Sequence, residues 1–275
     1  MVPNFSKYCD YVDMPENEFD TIGEYIPKEV CHYTKISIAL TKILSNKQIL
    51  LGNLHETNDP LETQTRLHEW INNPSNPGEP MGLTRGAVSV KNIKVFSTCC
   101  HNNPSWGSLG LHFVNMSFEY GTSHSRMWSH YSENHTGVCI IFDGKELDNH
   151  IRAEVGDNDR VRQGFIKYDY EESTRPLQGH NKLEIWKNYR PNFLCKSPEW
   201  KTEHEFRWLV QTETDFKLLV PIENAIKAVI VGKNFDKECL PLLERLCNEL
   251  SISPWQIDWL NGEPFIVQIK NKTQQ

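Results

Sequence analysis

The sequence predicts an α+β fold in one mixed domain, with central sheets and flanking helices. Three observations predict it. Apolar runs of strand length recur, among them Ile93–Cys99, Val138–Asp143 and Ala225–Val231. Helical periodicities fall between them without strict alternation, which does not point to a doubly wound parallel sheet. The chain is also long enough, at 275 residues with 38% apolar content, to bury a core without covalent staples.

Residues 1–29 form an irregular lead-in, punctuated by Pro3, Pro15, Gly23 and Pro27. The domain proper is expected over residues 30–270. Val30–Thr34 has strand character. Ser37 is the expected N-cap of a helix to about Ser45, with Ile36, Ala39, Leu40, Ile43 and Leu44 at helical spacing. Gln48–Leu51 is a second short apolar run, stopped by Gly52. Asn53–Glu62 is turn-rich around Asn58-Asp59-Pro60, and Leu61–Trp70 reads as a helix. Residues 72–87 hold four prolines or glycines in their first nine positions and two more glycines after, and read as a covering or partner-contact loop.

Beyond Ile93–Cys99, Arg126–Asn134 predicts a helical turn or two, and Val138–Asp143 a buried strand. Gly164–Tyr170 predicts another strand and Leu183–Tyr189 a helix. Trp200–Val210 alternates as a strand, followed by strands at Lys217–Val220 and Ala225–Val231. Lys237–Leu250 carries Leu240, Leu243, Leu246, Cys247 and Leu250 on one helical side. Asn261-Gly262 marks a hairpin inside Gln256–Ile269.

With 29 basic and 36 acidic residues the net charge is −7. Strong duplex nucleic-acid binding and anionic-membrane binding need a basic face and are not expected. No apolar run approaches the ~20 residues of a membrane helix. MVPNFSKYCD lacks the charged start and apolar run of a secretory signal. A cytoplasmic location follows as the expectation, and the eight cysteines read as free thiols. Cys99-Cys100-His101 is not followed by a second pair at zinc-site spacing, so no metal is expected.

Three segments carry candidate chemistry. In a strand, Glu203, Glu205 and Arg207 share one face, opposite His204, Phe206 and Trp208. That charged face is either solvated, with an internal salt bridge, or a cleft wall. In the Arg126–Asn134 helix, Trp128 and Tyr131 lie on one side; they are either core residues or a ring-stacking site. Cys31-His32-Tyr33-Thr34 ends a strand and offers His32 and Thr34 as hydrogen-bonding groups. Asn58-Asp59-Pro60 is either an Asx-type turn or part of a ligand site. An acidic set of Asp59, Glu62 and Glu205 with His32 admits a further alternative, a metal-dependent nuclease. The dinucleotide glycine fingerprint, the P-loop and the hydrolase elbow are all absent from the sequence.

HYTKIS (32–37), LLGNLHETNDPLE (50–62), FSTC (96–99), MWSHYSENHTGVCIIFD (127–143), WKTEHEFRW (200–208) and AVIVG (228–232) occur in an order that resembles the bacterial and phage family called domain of unknown function 2971. More distantly, the order of His32, Tyr131 and Glu205 on strand, helix and late strand is similar to ADP-ribosyltransferases. Glu203 and Glu205 resemble the paired Glu-x-Glu of their arginine-modifying branch. This resemblance implies NAD as substrate, Glu205 and Glu203 as catalytic residues, and His32, Thr34, Trp128, Tyr131 and Arg207 as NAD-binding residues. Tyr33, Asn58, Asp59 and Ser97 would line the site. It implies a transferase with an unknown acceptor, in a toxin or antiviral-defence setting. The alternative is a non-enzymatic module that senses a nucleotide or a phage component. Two expectations follow: His32, Tyr131 and Glu205 line one concave site with Trp128 and Arg207 nearby, and Glu205→Gln lowers turnover while leaving the fold intact.

Overall fold

The computed structural model describes residues 26–63, 92–100, 122–175, 177–178, 182–213 and 216–269. The loop expected at 72–87, most of the 1–29 lead-in, most of the Leu61–Trp70 helix and His101 lie outside the described residues.

The described strands are β1 (Glu29–Thr34), β2 (Gln48–Asn53), β3 (Ile93–Cys99), β4 (Val138–Asp143), β5 (Val161–Phe165), β6 (Lys167–Tyr168), β7 (Cys195–Lys196), β8 (Glu205–Gln211), β9 (Leu218–Pro221), β10 (Ile226–Val231), β11 (Pro254–Leu260) and β12 (Glu263–Gln268). Ten of them join one sheet, and β6 and β7 form a small parallel pair beside it. The fold is mixed α and β in a single domain.

The sheet forks at β3. One edge of β3 pairs along its whole length with β8, from Ile93↔Gln211 to Cys99↔Glu205, and β8 continues to β5. The other edge is shared by two strands. β1 touches it at Cys31↔Cys99, and β2 touches it at Gly52↔Val95 and Asn53↔Lys94. Between these contacts Phe96, Ser97 and Thr98 have no strand on that edge among the described residues. One branch then runs β1-β4-β10-β11-β12, and the other runs β2-β9.

Each branch follows from its residues. β4 (VCIIFD) is apolar up to Asp143 and sits between β1 and β10 with Val138–Phe142 fully buried. β10 and β11 are parallel, and the intervening chain carries the Leu240–Glu249 helix, as a crossover requires. β11 and β12 close through Asn261 (φ 53°) and Gly262 (φ 85°), the left-handed pair of a tight hairpin.

Several expectations change. The first helix (Ile36–Ile38, continuing as a wide turn over Ala39–Leu44) starts at Lys35 with no side-chain cap, not at Ser37. The Gly164–Tyr170 strand is instead the end of β5, the short β6 and a helix at Tyr170–Thr174. Trp200–Val210 is not one strand: Pro198–Glu203 is a 3₁₀ helix, His204 turns left-handed (φ 46°), and β8 begins at Glu205. A helix at Gly144–Val155 was not anticipated. Asp143 caps it by accepting from the Lys145 and Glu146 amides, both at 3.1 Å, and Gly156 ends it at φ 71°. The seven described cysteines are free thiols.

Candidate functional site

The fork in the sheet leaves the Ser97 carbonyl without a strand partner on that side among the described residues. His32, on β1, supplies one: its Nδ1–H donates to Ser97 O at 3.1 Å. A carbonyl only accepts, so Nδ1 carries the proton and Nε2 is left as an acceptor. Burial pushes the imidazole pKa down and the Ser97 carbonyl partly offsets this, so His32 is neutral near pH 7. Its ring packs 4.7 Å from Phe96.

The opposite wall is ionic. Arg207 on β8 is 1% exposed and joins two carboxylates. Its Nε and Nη2 bond Glu205, and its Nη1 and Nη2 bond Glu62. Lys196, at the end of β7, reaches Glu203 at 2.9 Å and Glu205 at 2.8 Å and lies 5.0 Å from the Trp200 ring centre. Glu62 also accepts from the Thr57 hydroxyl at 2.9 Å. All five charged side chains are buried. Burial alone would raise the Glu205 carboxyl, but the Arg207 and Lys196 charges outweigh it and hold its pKa at about 2. Three carboxylates face two cations, so the described cluster carries one net negative charge.

The solvated alternative for the Glu203–Arg207 face is therefore corrected: these side chains are interior. The strand alternation that predicted their shared face fails at His204. Glu203 nevertheless meets Glu205, because the left-handed His204 swings it back toward Lys196. The expectation that Glu205→Gln leaves the fold intact meets a cost in these buried ion pairs. An amide there would break bonds to two buried cations.

Tyr131 bridges the two walls. Its hydroxyl donates to Glu203 and is hydrogen-bonded by the Asn58 side chain, and burial together with Glu203 raises its pKa. The helix that delivers it, Ser125–Tyr131, ends in an unusual turn. Glu133, Asn134 and His135 are all left-handed, at φ 49°, 55° and 69°. Their neighbours hold them there. His135 N donates to Trp128 O at 3.1 Å, Asn234 N to His135 O at 2.9 Å, and Gly137 N to Ser132 O at 2.8 Å. A Cβ at Gly137 would lie 2.3 Å from Thr34 O, so only glycine lets this turn pack on β1.

These walls border an open cavity of about 270 Å³. His32, Tyr33, Asn58, Ser97, Tyr131, Glu203, Glu205 and Arg207 line it, so the three residues expected to share one concave site do share it. Three others do not line it. Trp128 is fully buried, donates its indole N–H to Thr122 O at 2.7 Å and meets Tyr33 edge-on, which makes it a core pin. Thr34 is buried beside Gly137. Asp59 is 2% exposed; its Oδ1 accepts from the Leu61 amide at 2.9 Å, its Oδ2 has no partner among the described residues, and burial raises its pKa. That is the Asx-turn alternative. Lys196 was not anticipated. Its signal is a lone charge at the end of the apolar run Phe193-Leu194-Cys195, which cannot be buried unpaired.

A second cavity of about 310 Å³ has an apolar floor including Trp186 and Phe193, and Arg160 pairs with Glu213 at 2.7 Å on its wall. It gathers no comparable cluster.

A model of the family described as protein of unknown function (DUF2971) matches residues 127–208. The match contains two of the motifs that carry the resemblance, at 127–143 and 200–208, and hence Tyr131, Lys196, Glu203, Glu205 and Arg207. No curated protein and no solved structure matches.

Proposed function

We propose that the cavity binds NAD at its nicotinamide end and cleaves the bond between nicotinamide and ribose, passing ADP-ribose to an acceptor. The observation that carries this reading is Glu205. It is ionised at every ordinary pH and held by Arg207 and Lys196 on a wall shared with Tyr131 and His32. A carboxylate fixed in this way stabilises positive charge developing on ribose without reorganising at the moment of reaction. The C1′–N bond breaks with its electrons leaving on nicotinamide, which departs neutral. The acceptor attacks C1′, and its proton passes to solvent or to Glu203. The Tyr131 ring offers a flat face for the base, and His32 Nε2 accepts from a hydroxyl.

The test is nicotinamide release followed by mass spectrometry, for wild type, Glu203→Gln and Glu205→Gln, with a thermal melt of each. Wild type is expected to release nicotinamide. A folded Glu205→Gln is expected to lose on the order of 10²–10³ in rate. No release by wild type above the solvent rate would overturn the reading.

One observation favours the second reading, a nucleotide-sensing module. Every carboxylate of the cluster already has a cationic or hydroxyl partner, so each is hydrogen-bonded in the resting site without turnover. NAD bound but not consumed would favour it. For the nuclease alternative, no group of three or more His, Cys, Asp or Glu is placed to hold a metal ion among the described residues.

A further inference from the structure

We infer that Cys31 and Cys99 form a redox clasp, whatever ligand the cavity takes: a small hydroperoxide entering the fork cavity joins them in a cross-strand disulfide that ties β1 to β3 beside Glu205.

The two thiols face each other by register. Cys31 on β1 and Cys99 on β3 stand directly opposite in an antiparallel pair. Opposite residues of such a pair have Cα atoms about 4.5 or 5.5 Å apart, and a disulfide spans about 4.4–6.8 Å. Both side chains leave the sheet on one face, in the apolar cluster that holds Tyr33, Met127 and Trp128. Their Cβ atoms, about 4.5–5.5 Å apart in such a pair, must approach to about 3.8 Å. The strands can close by that amount, because among the described residues this is the one register contact between β1 and β3.

Register also chooses between the neighbouring thiols. Cys139 on β4 is hydrogen-bonded to Cys31. It stands opposite Tyr33, however, while Cys31 stands opposite Ile141. Such a diagonal pair has Cα atoms about 7–8 Å apart, which a disulfide does not span without backbone movement. Cys100 belongs to the other apolar cluster, with Phe96 and Trp208.

The cavity supplies access. Cys31 and Cys99 are both buried in the fold, yet both line it, together with Ser97 and Glu205. A molecule of peroxide size reaches them there, and a bulky oxidant does not. Burial, with the nearby Cys31, Cys100, Glu203 and Glu205 groups, pushes the Cys99 thiol up. Cys99 is therefore protonated near pH 7 and reacts more slowly than an exposed cysteine.

The step balances with hydrogen peroxide. One thiol takes an oxygen as the O–O bond breaks, giving a sulfenic acid and one water. The sulfur of the second thiol then bonds the first sulfur, and the displaced hydroxyl leaves with the thiol proton as a second water. The two thiols lose two electrons and the peroxide gains them. Cys99 is also the register partner of Glu205 on β8, so the bond forms next to the ionic wall.

The full chain would be treated with hydrogen peroxide, alkylated and mapped by peptide mass spectrometry, with and without reductant. The half-buried Cys239 serves as the internal measure of exposure to the oxidant. A peptide pair joined through Cys31 and Cys99 is expected, about 2 Da below the summed thiol peptides and lost on reduction. Cys31 joined to Cys139 would overturn the inference. So would Cys31 and Cys99 both still alkylated after about ten times the exposure that consumes Cys239. Melting then reads whether the bond fits the fold. Bridged wild type should melt about 5 °C above the reduced protein, and peroxide-treated Cys31→Ala should show no rise. An unchanged or lower Tm for the bridged protein, or a rise shared by Cys31→Ala, would overturn the clasp.

Discussion

The two faces of β8 are equally dry and are held by opposite physics. Phe206, Trp208 and Val210 enter the large apolar core, with Phe206 and Trp208 edge-on at 4.9 Å. Glu205 and Arg207, one residue away along the same strand, enter the ionic cluster. The apolar face is stabilised in proportion to area and tolerates small losses. The ionic face is stabilised only while every partner is present, because a single removal strands a buried charge. A binding site gains from the second kind of wall, since fixed charges are aimed before any ligand arrives.

The comparison breaks most sharply at Arg207. Arg207→Met preserves volume but leaves Glu62 and Glu205 facing each other, and should destabilise the fold by roughly 3–5 kcal/mol in urea melts. A loss under about 1 kcal/mol would mean that the cluster relaxes into water. Acid is the next largest effect. The Glu205 carboxyl sits at about 2 in the fold, against an ordinary value of 4.5. Its contribution is therefore complete above pH 4.5 and is lost as pH falls from there through about 2, an effect on the order of 3 kcal/mol. Melts of wild type across that window should show the slope, and Phe206→Leu should keep it. On the apolar face, Phe206→Leu should lower stability by about 1–2 kcal/mol, independent of pH. A loss as large as that of Arg207→Met would erase the distinction between the faces. The smallest effect lies outside both. Asn134→Gly relieves one left-handed residue and should stabilise by up to about 1 kcal/mol, read as a rise in Tm.

The sheet was largely legible from sequence because its strands are short, apolar and bounded by turn residues. β1, β3, β4 and the Asn261-Gly262 hairpin all fall where periodicity put them. The Gly144–Val155 helix was not read, although Asp143, Glu146 and Gly156 mark both of its ends. The site was legible as residue types in order. His32, Tyr131 and Glu205 stand out because a core does not take polar atoms unpaired. Its electrostatics were not legible. Strand alternation says which side of β8 Glu205 faces, but not that Lys196 and Glu62 close over that side. Those partners come from a small parallel pair and a four-residue helix with no pattern of their own. The fork itself depends on which strand stops pairing and where, and no periodicity encodes that.

The pairing of Glu62 with Arg207 spans 145 residues, and that separation has a consequence during synthesis. At ribosomal rates of about 5–20 residues per second, Glu62 emerges roughly 7–30 seconds before its guanidinium partner. β3 waits almost as long for β8, its full-length neighbour. Through that interval the nascent chain has neither the floor of the cavity nor the charges that line it. Whatever the cavity does to its ligand, it cannot begin on a ribosome-bound chain that has not passed residue 207.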